Sequence, residues 1–305
     1  MTLVDDYLDL RRAAGFKLRT AEVHLRSFVR AAQERGETHI KMKTAVAWAA
    51  TAGSPLERHN RLRDLAIFAR HLRAEDSAHD LPDPRTFPCR HRKRLPYIFS
   101  DEEIVRILDA AQCLGPPGTS RADTYSTLFG LLAAAGLRVG EALRLEISDL
   151  TVDGLLIRNT KYRKTRLVPL HPTTVEALSQ YRLRWRAVAE PEAPFFMSIK
   201  GAALAYSTVW ETFRAIEGSM DLGPAASADG VRRRTRMTDM RHTFAVRALE
   251  VCPGDRSAIN RHMLALSTYL GHASPASTYW YLHATPRLMT DIADACEAWG
   301  SGGAR

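Results

Sequence analysis

Four side chains in this sequence could together cleave a phosphodiester: Arg138, Arg241, His272 and Tyr281. They lie in the segments Gly-Leu-Arg-Val-Gly-Glu, Met-Arg-His-Thr-Phe-Ala and Leu-Gly-His, with the tyrosine nine positions after that histidine. A free phenol, with a pKa of about 10, is a weak nucleophile that needs cationic surroundings. Arginine supplies them because its guanidinium is a rigid fork of donors that fits phosphate oxygens. The pattern therefore predicts attack by tyrosine on phosphorus, with the developing charge held by fixed cations.

The order and spacing of these motifs resemble those of the tyrosine recombinase, or phage integrase, family, and the resemblance covers nearly the whole chain. It implies that Arg138 and Arg241 are the two catalytic arginines and that Tyr281 is the nucleophile. His272 matches a family position that is histidine or tryptophan, from which an imidazole can donate to a phosphate oxygen. Glu141 matches an acidic residue that commonly follows the first arginine, and we expect it to hold the Arg138 fork in place.

The choice of nucleophile among three crowded aromatics, Tyr279, Trp280 and Tyr281, follows from spacing. The distance from His272 favours Tyr281. On a helix Tyr279 would lie about 200° around the axis from Tyr281, so both cannot reach one phosphate. Tyr279 and Trp280 are therefore expected to pack in the core.

A catalytic lysine is expected in the turn of a β-hairpin. Alignment of residues 166–170 with the second strand of the family hairpin places Lys161 at that position, with Lys164 in the same turn as its rival. A lysine on a flexible turn can enter the site when DNA is bound and protonate the leaving 5′ oxygen. The alternative is an exposed lysine that contacts solvent or a backbone phosphate.

The sequence departs from the family pattern at Thr238, where the family usually carries a histidine three residues before the second arginine. A threonine hydroxyl can donate a hydrogen bond to a phosphate oxygen, but it cannot accept a proton near pH 7. Either the site works with weaker acid–base catalysis, or another group accepts the proton in place of the histidine. His242 lies four residues after Thr238 and would share a helix face with it. The family often has a histidine there too, where it is generally structural.

The charge of the chain points to a polyanionic partner. The 305 residues carry a formal net charge of +9 and a sequence pI of about 9.6, in an ordinary globular composition with 45% hydrophobic residues. Charge alone would also suit a basic enzyme without such a partner, but its placement favours double-stranded DNA. Residues expected to contact DNA lie in two clusters, Arg90, Arg92, Lys93 and Arg94, and Arg232, Arg233 and Arg234.

The cysteines and the N-terminal residues restrict the class of protein to which the chain can belong. The four cysteines form no Cys-x-x-Cys pair and no histidine cluster accompanies them, so neither a zinc site nor a disulfide framework is expected. Residues 1–6 lack the basic start and apolar run of a signal peptide, and no apolar run approaches the ~20 residues that span a bilayer. We therefore expect a cytoplasmic protein with free thiols, no metal, no cofactor and no membrane contact.

Periodicity predicts a mainly α fold with a small β-hairpin or sheet. The resemblance implies a helical N-terminal core-binding domain, here residues 1–80, and a tyrosine-recombinase catalytic domain, residues 98–305, with a C-terminal tail helix. Residues 81–97 read as a linker because their prolines disfavour regular structure and their cations could follow a DNA backbone. A merely solvated linker is the alternative.

The resemblance implies a site-specific DNA recombinase of integrase or transposase type that works through a 3′-phosphotyrosyl intermediate. Such enzymes act as homotetramers on two DNA duplexes, and some mobile elements encode several recombinases together. Two alternatives share the scaffold. One is a DNA-binding accessory protein weakened by Thr238, and the other is a type IB topoisomerase. Topoisomerases need neither defined target sites nor tail-mediated partners, so the strand-exchange interpretation is preferred.

Overall fold

The computed structural model describes residues 3–89, 96–158, 165–220, 234–251, 256–272, 274, 276–279 and 281. The chain divides into two compact units, Met1–Arg94 and Leu95–Arg305. The mainly α fold predicted from periodicity is confirmed, with one small antiparallel sheet among the described residues. None of the described helices is both long and apolar enough to cross a membrane.

The first unit is a helical bundle. Its helices are α1 (Leu3–Ala13), α2 (Arg19–Gln33), α3 (Met42–Ala50) and α4 (Pro55–Leu72). The start of α4 is fixed locally, because the Ser54 hydroxyl accepts from the Glu57 amide and Pro55 occupies the first turn. The apolar faces of the four helices meet in one core that includes Leu8, Leu25, Phe28, Trp48, Leu62, Leu65 and Phe68.

The first half of the proline-rich segment packs onto this unit. The Asp83 side chain accepts from the Arg85 amide and starts one turn of 3-10 helix, Pro84–Thr86. His59 Nδ1 lies 3.1 Å from the carbonyl oxygens of both Pro84 and Phe87, so the ring can donate to either. Phe87 also packs against the bundle core. The prolines thus permit a short capped turn, although they exclude longer regular structure.

The second unit begins with a capping box. Ser100 and Glu103 bond to each other's backbone amides at the start of the first helix. The helices of this unit are α5 (Asp101–Gln112), α6 (Arg121–Ala135), α7 (Val139–Ala142), α8 (Pro172–Trp185), α9 (Tyr206–Ser219), α10 (Met237–Glu250), α11 (Arg256–Leu270) and α12 (Ala276–Tyr279). Its main core is built largely from α5, α6, α8 and α9 and includes Ile107, Leu128, Phe129, Phe195 and Phe213.

The sheet has the order β1-β2-β3, with both pairs antiparallel. The strands are β1 (Leu150–Thr151), β2 (Gly154–Ile157) and β3 (Arg166–Val168). The two strands predicted from sequence are β2 and β3, whereas β1 is too short to show an alternating pattern. Gly154 has φ +132°, and a Cβ there would lie 2.3 Å from the Val168 carbonyl oxygen, so a side chain would disrupt the pairing.

A separate apolar cluster joins α10 to α11. It contains Val246, Leu249, Met263, Leu266, Leu270 and Tyr281. Helix α10 is also tied to the start of α5, because the Thr243 hydroxyl accepts from the Phe99 amide at 2.9 Å and Arg247 donates to the Phe99 carbonyl. These contacts fix the helix that carries Arg241 and His242.

Candidate active site

Arg138 stands at the N-cap of α7, directly after a left-handed turn. Gly136 has φ +58°, and a Cβ on it would lie 2.5 Å from the Phe244 ring, so the close approach of α10 requires glycine here. Leu137 is buried beside it and anchors the turn in the core. The geometry of the cap is therefore set by packing against α10, and it presents the Arg138 guanidinium at the surface of the site.

Glu141 is a buried carboxylate that holds two arginines. Its oxygens accept from Arg138 Nη1 at 2.7 Å and from the Arg138 amide at 3.1 Å. They also accept from Arg166 Nη2 at 2.9 Å and Nη1 at 3.3 Å. Burial raises the pKa of Glu141, but Arg166 and then Arg138 outweigh it and bring the pKa to about 2. The expectation that Glu141 braces Arg138 agrees with this geometry.

Arg166 is a site residue that sequence reasoning did not identify. Besides Glu141, its Nε donates to the Tyr269 carbonyl at 2.9 Å, so it links β3 to the end of α11. Gly271, with φ +65°, gives it room, since a Cβ there would lie 2.8 Å from the guanidinium. In the sequence Arg166 appears only as the first residue of a strand, and no local signal marks its buried partner.

Arg241 is 6% exposed and connects the separated motifs. Its Nη1 donates to the Gly136 carbonyl at 2.7 Å, and its Nη2 donates to the Leu270 carbonyl at 2.6 Å. Burial, followed by repulsion from Arg138, lowers the pKa of Arg241 to about 10, so the guanidinium stays charged at neutral pH. The cation is thus held in a fixed orientation by backbone oxygens.

His272 lies beside these arginines. Arg138 Nη2 donates to the carbonyl of the preceding residue, Gly271, at 3.2 Å. The His272 Nδ1 is 2.8 Å from the Thr278 hydroxyl, which fixes the ring plane. Burial first, and then the charges of Arg241 and Arg138, lower the pKa of His272 to about 4. The imidazole is therefore neutral near pH 7.

Tyr281 is 3% exposed and lies between two histidines. Its hydroxyl is 3.2 Å from His242 Nδ1, and its ring stacks on His272 with centroids 6.0 Å apart and planes at 20°. Burial raises the pKa of Tyr281, opposed by Arg241 and Arg138. The phenol is therefore buried, Arg241 forms a hydrogen bond with it, and both arginines are close enough to act on it electrostatically.

Thr238 and His242 lie one turn apart on α10, but their surroundings differ. Thr238 is exposed, whereas His242 is half-buried against Tyr281. Burial lowers the pKa of His242 to about 4, with the nearby Arg236 and Arg241 acting in the same direction and Asp239 opposing them. The histidine on this helix that meets Tyr281 is therefore His242.

Several predicted functional residues lie outside the described part of the chain. They are Lys161 and its rival Lys164, the linker cations Arg90, Arg92, Lys93 and Arg94, the loop cations Arg232 and Arg233, and the tail that follows Tyr281. Arg234 is described and is exposed, immediately before α10. Tyr279 is half exposed, contrary to the prediction that it packs in the core, and Trp280 lies outside the described residues.

Among the described residues, the metal-ligand atoms of His39, Asp76 and His79 come within 4.8 Å of one another. Hydrogen bonds account for this group. The Ile40 amide donates to His79 Nδ1 at 3.0 Å, and His39 Nε2 lies 2.9 Å from an Asp76 oxygen. Since Nδ1 of His79 is an acceptor, its Nε2 carries the proton in the neutral ring and offers no lone pair to an ion.

Replacing Arg166 with leucine is expected to lower the stability of the second unit by about 3–5 kcal/mol, because one partner of a buried ion pair is removed. The matched control is Arg184→Leu, which breaks a pair between the exposed Arg184 side chain and the partly exposed Asp123 and should cost at most about 1 kcal/mol. Native-state hydrogen exchange of the α6 and β2 amides measures the free energy of unfolding of both variants. Equal effects of the two substitutions would contradict the role of Arg166 as a buried brace.

Sequence comparison identifies the family of the chain. The sequence model of the phage integrase family matches residues 98–287. A protein of Sinorhizobium fredii provisionally named integrase/recombinase y4rB is 36% identical over 298 residues, which cover 94% of each chain. Tyrosine recombinase XerC of a Methylobacterium species is 30% identical over 242 residues, covering 75% of this chain and 68% of its own.

Structural comparison gives the same fold. A lambda integrase fragment, solved as a dimer bound to a COC′ core site, superposes with a TM-score of 0.64 at 16% identity, covering 92% of this chain and 93% of its own. The XerH site-specific recombinase, in a post-cleavage complex with its difH substrate, superposes with a TM-score of 0.63 at 18% identity, covering 91% of this chain and 78% of its own.

Proposed function

The chain belongs to the phage integrase family of tyrosine recombinases, and on that premise we propose that it is a site-specific DNA recombinase with Tyr281 as its nucleophile. One observation carries the proposal. Arg138 and Arg241 act electrostatically on the buried Tyr281 phenol and the His272 ring stacks on it, although these residues come from separate segments of the chain. This arrangement suits the transfer of a phosphodiester to a phenol oxygen.

The arginines stabilise the charge that develops on the non-bridging phosphate oxygens. Their contacts to Glu141 and to backbone carbonyls orient both guanidiniums before DNA binds, so little reorganisation accompanies the reaction. Preorganised donors of this kind typically contribute ~10²–10³ each to the rate. His272 adds a neutral imidazole that can donate to the same oxygens.

Cleavage joins Tyr281 Oη to the 3′ phosphate and releases a 5′ hydroxyl, with Lys161 proposed as the group that protonates the leaving oxygen. The 5′ hydroxyl of a partner strand then attacks the phosphotyrosine and restores a phosphodiester. The covalent intermediate conserves the energy of the original bond. The reaction therefore needs neither ATP nor a metal ion.

Strand exchange brings two duplexes together, and we propose a homotetramer as the active assembly. Lambda integrase, which shares this fold, has been solved as a tetramer bound to a Holliday junction. The residues after Tyr281 are proposed to dock on a neighbouring subunit. Other recombinases encoded by the same mobile element could occupy some of the positions in such an assembly.

The test is to trap covalent protein–DNA adducts in cells. The full-length protein is purified under denaturing conditions, and the attached DNA ends are sequenced. A recombinase yields 3′-linked ends at a few defined sites, and a nicked oligonucleotide of that sequence then accumulates the adduct in vitro. Ends scattered across the DNA, with relaxation of plasmids that lack a site, would point to a topoisomerase. DNA binding without any adduct would point to the accessory protein that Thr238 suggests.

The linker cations are predicted to contact DNA phosphates. Neutralising Arg90, Arg92, Lys93 and Arg94 together should weaken binding to all sequences, and each lost contact should reduce the log–log salt slope by ~0.9. Fluorescence anisotropy over a salt series measures the slope. As a control, Arg12 and Arg26 already pair with carboxylates, so their neutralisation should change the slope less per charge. An unchanged slope in the linker variant would show a solvated linker.

A further inference from the structure

A ring nitrogen of His242 is within hydrogen-bonding distance of the Tyr281 hydroxyl, with which the Arg241 side chain also forms a hydrogen bond. Its Nδ1 is 3.2 Å from the phenol oxygen, and the two rings lie with centroids 5.4 Å apart at 54°. The contact crosses between two segments, since His242 is on α10 and Tyr281 follows α12. Nothing in the sequence near either residue requires them to meet.

We propose that His242 is a catalytic residue that accepts the phenolic proton of Tyr281 during cleavage and returns it during rejoining. This inference rests on the proposed recombinase function, and it assigns to His242 the proton transfer that Thr238 cannot perform. The threonine occupies the usual family histidine position, but it is exposed on the preceding turn of α10.

The other described groups around Tyr281 do not suit this role. Arg138 and Arg241 remain protonated and have no lone pair to offer. The buried Asp239 carboxylate accepts from the Arg236 amide at 2.8 Å and from Arg236 Nη2 at 3.1 Å, so it is engaged in capping α10. His272 presents its ring face to Tyr281, while its Nδ1 lies 2.8 Å from the Thr278 hydroxyl.

The protonation state of His242 fits an acceptor. Burial lowers its pKa to about 4, so the ring is neutral near pH 7 and one of its nitrogens carries no proton. A phosphate anion bound by Arg138 and Arg241 would stabilise the imidazolium that forms. The basicity of His242 would therefore rise when the substrate is in place.

The proposed step balances in atoms and charge. The bond from Tyr281 Oη to phosphorus forms, the bond from phosphorus to the 5′ oxygen breaks, and the Oη proton moves to His242 Nδ1. The leaving 5′ oxygen takes a proton from a different donor, proposed to be Lys161. In rejoining, an incoming 5′ hydroxyl gives its proton to Lys161, now neutral, and attacks phosphorus. The bond from phosphorus to Tyr281 Oη breaks, and the phenolate recovers its proton from His242.

The first experiment measures single-turnover cleavage of a nicked substrate that carries the mapped site. His242→Ala is expected to slow cleavage ~10²–10⁴-fold, the usual contribution of general acid–base catalysis, with DNA affinity nearly unchanged. Replacing the bridging 5′ oxygen with sulfur creates a leaving group that needs no proton. This substrate should leave the His242→Ala defect in place, because the defect concerns the nucleophile, whereas it should restore cleavage by Lys161→Ala.

The second experiment separates chemistry from packing. Introducing 3,5-difluorotyrosine at position 281 lowers the phenol pKa and reduces the need for a base. The ratio of wild-type to His242→Ala rates should then fall by at least tenfold. His242→Gln, which keeps a hydrogen-bonding side chain of similar size, replaces His242→Ala throughout if the alanine variant does not fold.

Three results would overturn the inference: a wild-type cleavage rate in the His242 variant, restoration of its rate by the sulfur substrate, or a rate ratio that fluorination leaves unchanged. The failure of the proposed function looks different, because the wild-type protein itself would then form no adduct on any DNA. An adduct with wild-type protein and an unimpaired His242 variant would reject only the role of His242.

Discussion

Replacing Tyr281 with phenylalanine is expected to abolish covalent attachment of DNA while leaving DNA affinity within a few-fold of the wild-type value. Only the hydroxyl oxygen is removed, which is the attacking atom in the proposed reaction. The ring itself belongs to the α10–α11 cluster, so its packing survives the substitution. Loss of the hydroxyl contact with His242 should change stability by no more than about 1.5 kcal/mol.

The adduct is measured on a denaturing gel after incubation with a nicked substrate, where covalent protein–DNA complexes migrate slowly until protease is added. Tyr279→Phe is the matched control, because Tyr279 is two residues away and half exposed. It should retain adduct formation. A protease-sensitive adduct in Y281F that disappears in the double variant would move the nucleophile to Tyr279.

Replacing Arg241 with lysine is expected to reduce the single-turnover cleavage rate by ~10²–10³, the usual effect of removing one preorganised donor. The charge is retained, but an ammonium is a point charge and cannot reproduce the planar fork. In the structure that fork already spans two carbonyl oxygens, of Gly136 and Leu270. Lysine can satisfy one of these positions or reach the phosphate, but it cannot fix the same orientation.

Arg247→Lys is the matched control for this experiment. It lies on the same helix, and its guanidinium also donates to a carbonyl oxygen, that of Phe99. Its other partner is the exposed Asp101, away from Tyr281. We expect R247K to cleave at close to the wild-type rate. If R241K also does so, the guanidinium geometry of Arg241 is not required, and its role reduces to positive charge.

The prediction from sequence was strongest where the determinants are local. The amphipathic helices follow from residue spacing within each segment, and the Ser100–Glu103 capping box involves positions three apart. The motif order also singled out Arg138, Arg241, His272 and Tyr281, and the structure brings all four together. These residues can be picked out because residue type and spacing are read directly within each short segment, whereas their catalytic roles stay a prediction.

The partners of those residues were decided by tertiary structure. Arg241 donates to a carbonyl 105 positions away in sequence, and Arg138 donates to one 133 positions away. Backbone carbonyls carry no sequence signature, so neither contact could have been read from residue types. The pairing of Arg166 with Glu141 is hidden for a related reason, because it depends on β3 packing beside α7 and α11.

The same distinction separates Thr238 from His242. The sequence by itself determined that a threonine stands where the family usually has a histidine, and that another histidine follows one turn later. Tyr281 lies against His242, 39 positions away, only because it packs in the same apolar cluster as α10 and α11. Residue types fix which proton transfers are chemically available, whereas the long-range burial of apolar faces fixes which donor meets which acceptor.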